Sequence, residues 1–150
     1  MIIEKKLVAC AVVGGLLAFA LPASANAEQV VCHYTYGGES GELTADPVGS
    51  PYNVKGIPVG SYFRFRVVFR DQPADLASIK VYVYFDREPA FMPIHQATYP
   101  YPPPESSSPG YGFTGRHFIY EPRSGSELQY WCRLAQPLPV APSSGAGSGQ

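Results

Sequence analysis

The chain has 150 residues, with 11 basic and 12 acidic side chains, a formal charge of −1 at pH 7, and 13% aromatic residues. A balance so even gives no electrostatic footing for nucleic acid or an anionic membrane as partner. The length suits one ordinary domain with a single core.

Lys5 and Lys6 precede an apolar run from Leu7 to Leu21, which Pro22 ends; Ala23-Ser24-Ala25-Asn26-Ala27 then supplies small residues. Basic start, short apolar core and Ala-x-Ala exit predict a cleaved secretory signal peptide over residues 1–27. Cleavage is expected after Ala27, with Ala25 as the alternative. The run is too short to span a bilayer comfortably, so no transmembrane anchor is expected after cleavage. Leu7-Val8-Ala9-Cys10 looks like a lipobox, but the apolar core follows the cysteine instead of preceding it, so Cys10 leaves with the signal. Leader and composition suit a bacterial protein, periplasmic or secreted.

Of three cysteines, Cys32 and Cys132 remain in the exported chain. An even count in an oxidising compartment predicts a disulfide between them, closing a loop of about 100 residues. Neither has a second cysteine close by, which argues against thiolate metal ligation.

Beyond the leader the segments are short, rich in Val, Ile, Tyr and Phe, and bounded by Gly, Pro, Asp and Ser. They predict strands near residues 29–36, 41–46, 61–70, 78–86, 91–99, 113–121 and 127–134. Residues 71–75 predict a single helical turn with Pro73 at its first position. The predicted fold class is all-β: an antiparallel β-sandwich of about seven strands, Ig-like or barrel-like, closed by one disulfide, over residues 28–135. Residues 136–150 read as a disordered tail.

The hairpin of 61–70 with 78–86 is the most strongly specified pair. Phe63, Phe65, Val67 and Phe69 alternate with polar residues, as do Ile79, Val81, Val83 and Phe85. Pairing Phe69 with Ile79 puts all eight on one face and sets Arg66 opposite Tyr82 and Arg64 opposite Tyr84 on the other. A one-residue slip destroys this agreement.

Three constellations carry the functional reading. The outer face of that hairpin, with Arg64, Arg66, Lys80, Tyr82 and Tyr84, forms a cation–π surface for a partner. Tyr99, Tyr101 and Tyr111 around Pro100 to Pro104 read as a Pro/Tyr binding loop over residues 100–112. Met92, His95 and His117 are the candidate metal ligands, but isolation of the histidines in sequence predicts only weak binding. His33 is expected to point away from its neighbour Cys32.

No Gly-x-Ser-x-Gly elbow, His-Glu-x-x-His or phosphate-cradling glycine loop occurs, so no catalytic residue and no cofactor is expected. The expected function is a non-enzymatic binding module with a protein or glycan partner in the cell envelope. The alternatives are an envelope copper- or zinc-binding protein using His and Met ligands, and a small secreted hydrolase.

Overall fold

The computed structural model describes residues 28–87, 89–104 and 110–136. The predicted signal peptide at 1–27, the middle of the Pro/Tyr segment and all of the predicted tail except Gln136 lie outside the described residues.

Among the described residues eight strands form, with the clearest alternation of buried and less buried positions in the fifth and eighth: β1 (Gln29–Tyr36), β2 (Glu39–Ala45), β3 (Ile57–Val59), β4 (Phe63–Arg70), β5 (Ser78–Arg87), β6 (Ala90–Pro100), β7 (His117–Tyr120) and β8 (Glu127–Ala135). They form two four-stranded antiparallel sheets, ordered β2-β1-β8-β7 and β3-β4-β5-β6. We call these the first and second sheets. The strand beyond those expected is β3, three residues with Pro58 in the middle. Proline cannot donate to a ladder, which suits the edge position β3 holds beside β4.

The central hairpin has the expected register: Phe69 faces Ile79, Arg66 faces Tyr82 and Arg64 faces Tyr84. All eight apolar residues of its inner face are buried. Opposite them the first sheet contributes Val30 and Cys32 from β1, Ile119 from β7, and Leu128, Tyr130 and Cys132 from β8, so the two sheets share one core. Two expectations shift. The helical turn is a 3₁₀ turn over Ala74–Leu76, with Pro73 capping it instead of opening it. The strand expected over 113–121 shrinks to β7, because residues 111–115 turn back on themselves: Gly115 N donates to Tyr111 O at 3.1 Å and Gly115 has φ 70°.

Cys32 and Cys132 are bonded, with Cα atoms 4.0 Å apart, as the sequence predicts. They are register partners on adjacent strands of one sheet. The bridge of Ig domains joins the two sheets instead, so the resemblance to that fold stops at the layer arrangement. The main-chain groups of Cys132 turn away from Cys32: its N–H donates to Thr114 Oγ1 at 2.8 Å and its carbonyl accepts from Phe113 N at 3.0 Å. Gly112 makes this approach feasible, since a Cβ there would sit 2.0 Å from the Cys132 carbonyl oxygen.

The β7–β8 connection is built around Glu121, 1% exposed. Burial pushes its carboxyl up, but the Ser124 hydroxyl and the backbone N–H groups of Arg123, Ser124 and Ser126 outweigh that and hold it near 2, against an ordinary 4.5. A depressed folded value means the contribution to stability is complete above about pH 4.5 and lost as pH falls toward 2. Urea unfolding across that window should show an acid-side loss of stability that is flattened in Glu121→Gln. An unchanged slope in the variant would remove Glu121 as its source.

Candidate functional site

On the outer face of the second sheet, β4 and β5 place Arg64, Arg66, Lys80, Tyr82 and Tyr84 side by side, as alternation requires. Arg66 lies over the Tyr82 ring at 5.2 Å, and Tyr82 and Tyr84 stack at 6.1 Å. Arg64 leans instead over Phe91 of β6, at 4.4 Å. Both guanidinium groups also tie down the segment that crosses from the first sheet. Arg66 Nε donates to Val54 O at 2.8 Å and a second nitrogen donates to Pro51 O. Arg64 donates to Gly56 O at 3.1 Å and to Asp86 Oδ2 at 3.0 Å. Arg66 is therefore not wholly free for a partner, as expected of it: two of its nitrogens hold a loop, while the side chain still lines the open space beside them.

What stays open is a cleft of ≈ 380 Å³ lined by Lys55, Gly56, Arg64, Arg66, Tyr84 and Phe91. Lys80 and Tyr82 lie outside it, beside a second hollow next to the 3₁₀ turn. Asp86 balances Arg64, but among the described residues Arg66 meets only carbonyl acceptors, and Lys55 adds another positive charge. Arg64 Nε is buried without a hydrogen-bond partner among the described residues.

The three tyrosines of the Pro/Tyr segment do not form one exposed loop. β6 runs on to Pro100, and its inward alternation of His95, Ala97 and Tyr99 carries on to Tyr101. Tyr101 packs edge-on against Phe69 at 4.9 Å. Its hydroxyl donates to Glu28 Oε2 at 2.7 Å, and that bond pushes the phenol up to about 12. Tyr99 packs edge-on against Phe113. Only Tyr111 lies away from the core, under Arg116 at 4.2 Å and edge-on to Trp131.

A polar cluster that sequence order does not reveal lies between the outermost strands of the two sheets. A bulge in β6 pairs Tyr84 with Pro93 and Val83 with His95, skipping Ile94, and so sets the phase of His95. His95 Nε2 is 2.8 Å from the Tyr130 hydroxyl, and His117 Nε2 is 3.0 Å from the Tyr99 hydroxyl. His117 lies flat on Tyr130 at 4.8 Å and 9°, with the two imidazoles 5.4 Å apart. Burial, helped by His117, holds His95 below its ordinary value. Burial pushes Tyr130 up strongly, with Tyr99 adding to it.

Of the expected metal ligands, then, His95 and His117 come together. Met92 does not join them; it pairs with Phe85 beyond the bulge and is half exposed. His33 is elsewhere, on the outer face of the first sheet, stacked on Trp131 at 4.0 Å with Nδ1 2.8 Å from Glu42 Oε1. Among the described residues no three His, Cys, Asp or Glu side chains gather as a metal site, and no serine hydroxyl bonds a histidine ring.

Sequence reasoning passed over Trp131, the sole tryptophan. Its odd place in the β8 alternation (Leu128, Tyr130 and Cys132 inward) was the available signal. With Phe118 and Tyr120, both at least half exposed, it gives the first sheet an aromatic outer face as well. The chain matches no protein-family model, no curated protein and no solved structure.

Proposed function

We propose that the protein is an exported, non-enzymatic binding module, a β-sandwich that takes an envelope protein or glycan in the cleft above the second sheet. The partner group that fits is an acid beside a flat apolar surface. The observation that carries this reading is the lining itself. Among the described residues three cations meet one carboxylate partner, Asp86, while Tyr84 and Phe91 supply apolar walls. The Arg64 side chain is 29% exposed, and a guanidinium bonds a carboxylate about twice as strongly as a neutral donor does. The disulfide suits an oxidising compartment, and no helix among the described residues is long and apolar enough to cross a membrane.

Phe91→Ala and Lys55→Glu test it, because both residues are exposed and neither belongs to the core. Each variant should melt like the parent yet capture the envelope partner at least about 30-fold more weakly, as loss of an anchor typically does. Capture unchanged in both variants would remove the cleft as the binding site. Tyr101→Ala, by contrast, is expected to melt early, since its ring packs on Phe69.

A further inference from the structure

We propose that His95, His117, Tyr99 and Tyr130 form a binding site for one divalent copper ion, held by two imidazole nitrogens and two phenolate oxygens. The site is independent of the cleft, which lies on the opposite face of the second sheet.

Donor spacing is the first argument. Neighbouring donors about 2 Å from a tetragonal ion are about 2.8 Å from each other. The two nitrogen–oxygen separations here are 2.8 Å (His95 to Tyr130) and 3.0 Å (His117 to Tyr99). The two pairs adjoin, since the His117 ring lies 4.8 Å from the Tyr130 ring and the two imidazoles are 5.4 Å apart.

Placement is the second. β6 and β7 are the outermost strands of their sheets, and His95, Tyr99 and His117 are only half buried, which leaves a way in. Tyr130 is fully buried and lies flat against His117, while Tyr99 is braced by Phe113 at 5.3 Å. These contacts fix the rings before any ion arrives, which lowers the ordering cost of binding.

Charge is the third. Binding replaces two phenol protons, released to solvent, with one Cu²⁺, so two phenolates cancel the ion's two charges and no net charge is buried. No electron is transferred. His117 must carry its ring proton on Nδ1, so a hydrogen bond from Nε2 to Thr114 O, 3.1 Å in the structure, is given up. The donor set also selects the metal. Mixed nitrogen and oxygen donors suit Cu(II), which stands highest among the divalent first-row ions. Cu(I) would want sulfur, but both cysteines among the described residues are in the disulfide and Met92 lies outside the cluster.

The test uses the oxidised, exported chain, freed of metal with a chelator and titrated with copper sulfate under visible absorption and electron paramagnetic resonance. One equivalent should bind, with a phenolate-to-copper charge-transfer band. His117→Gln should weaken binding at least about 10- to 100-fold. Tyr99→Phe, which keeps the ring and its packing, should fold normally yet lose much of the band. His33→Ala, on the far side of the first sheet, should change neither. Copper binding that survives both cluster variants, a site without the visible band, or tighter binding of zinc than of copper would each overturn the assignment.

Discussion

Phe65→Ala is expected to lower the free energy of unfolding by about 3–5 kcal/mol, the range for truncating a fully buried phenylalanine. Phe65 is 0% exposed and sits where the two sheets meet. Its ring touches Tyr34 of β1 at 6.0 Å and Tyr130 of β8 at 5.3 Å, so one side chain of β4 contacts both central strands of the opposite sheet. Removing it withdraws apolar surface and two aromatic pairs, and leaves a cavity walled by strands that cannot close in, because the ladders fix their spacing. Lys80→Ala, on the outer face of the same sheet, should change stability by less than about 0.5 kcal/mol. Denaturant unfolding of the two variants measures the difference. Equal losses would mean that the faces of the hairpin are assigned backwards.

Arg66, on the same outer face as Lys80, is not an inexpensive surface residue. Its truncation leaves the carbonyls of Pro51 and Val54 without their charged donor. A loss of about 1–3 kcal/mol is the scale for such bonds. The alternation that placed Arg66 outward says nothing of what will cover it. That depends on a segment some twelve residues earlier, whose Val-Lys-Gly-Ile-Pro-Val wording reads as loop and hides β3.

The same division runs through the rest of the molecule. Period-two alternation is a local property, and it made the β4–β5 register legible, while the Cys32–Cys132 pairing was legible from the cysteine count alone. The alternation also continued through His95, Ala97, Tyr99 and Tyr101, yet the prolines at 100 and beyond drew attention to a loop and away from the strand's last inward rings. The approach of His95 to His117 was not legible at all. They lie on different sheets, and only the packing of β6 against β7 across the core brings them to 5.4 Å. Such a contact has no signature in spacing, because twenty-two positions and an irregular crossing separate the two. The outward cleft is of the same kind: its cations come from β4 and a crossing segment, and one of its aromatic walls comes from β6.

Removing the disulfide, as Cys32→Ala together with Cys132→Ala, is expected to cost about 2–5 kcal/mol and to raise the denaturant dependence of unfolding. The two residues are 100 positions apart, yet they face each other on β1 and β8, the two central strands of the first sheet. Every other strand lies between them in the chain. In the unfolded protein the bond holds this longest-range pairing together at all times; without it, closing a loop of about 100 residues costs up to about 4.7 kcal/mol in the chain-entropy account. The native side loses little, since alanine fits the same inward positions and the ladder from Gln29–Ala135 to Tyr36–Leu128 stays intact. The effect should therefore appear mainly as a more expanded denatured state, and hence as the steeper slope. Double-alanine protein and the oxidised parent, unfolded side by side in urea, give both quantities at once. A loss below about 1 kcal/mol with an unchanged slope would mean that β1 and β8 stay associated in the denatured ensemble without the bond, and that the hairpins, not the bridge, hold the two ends of the chain together.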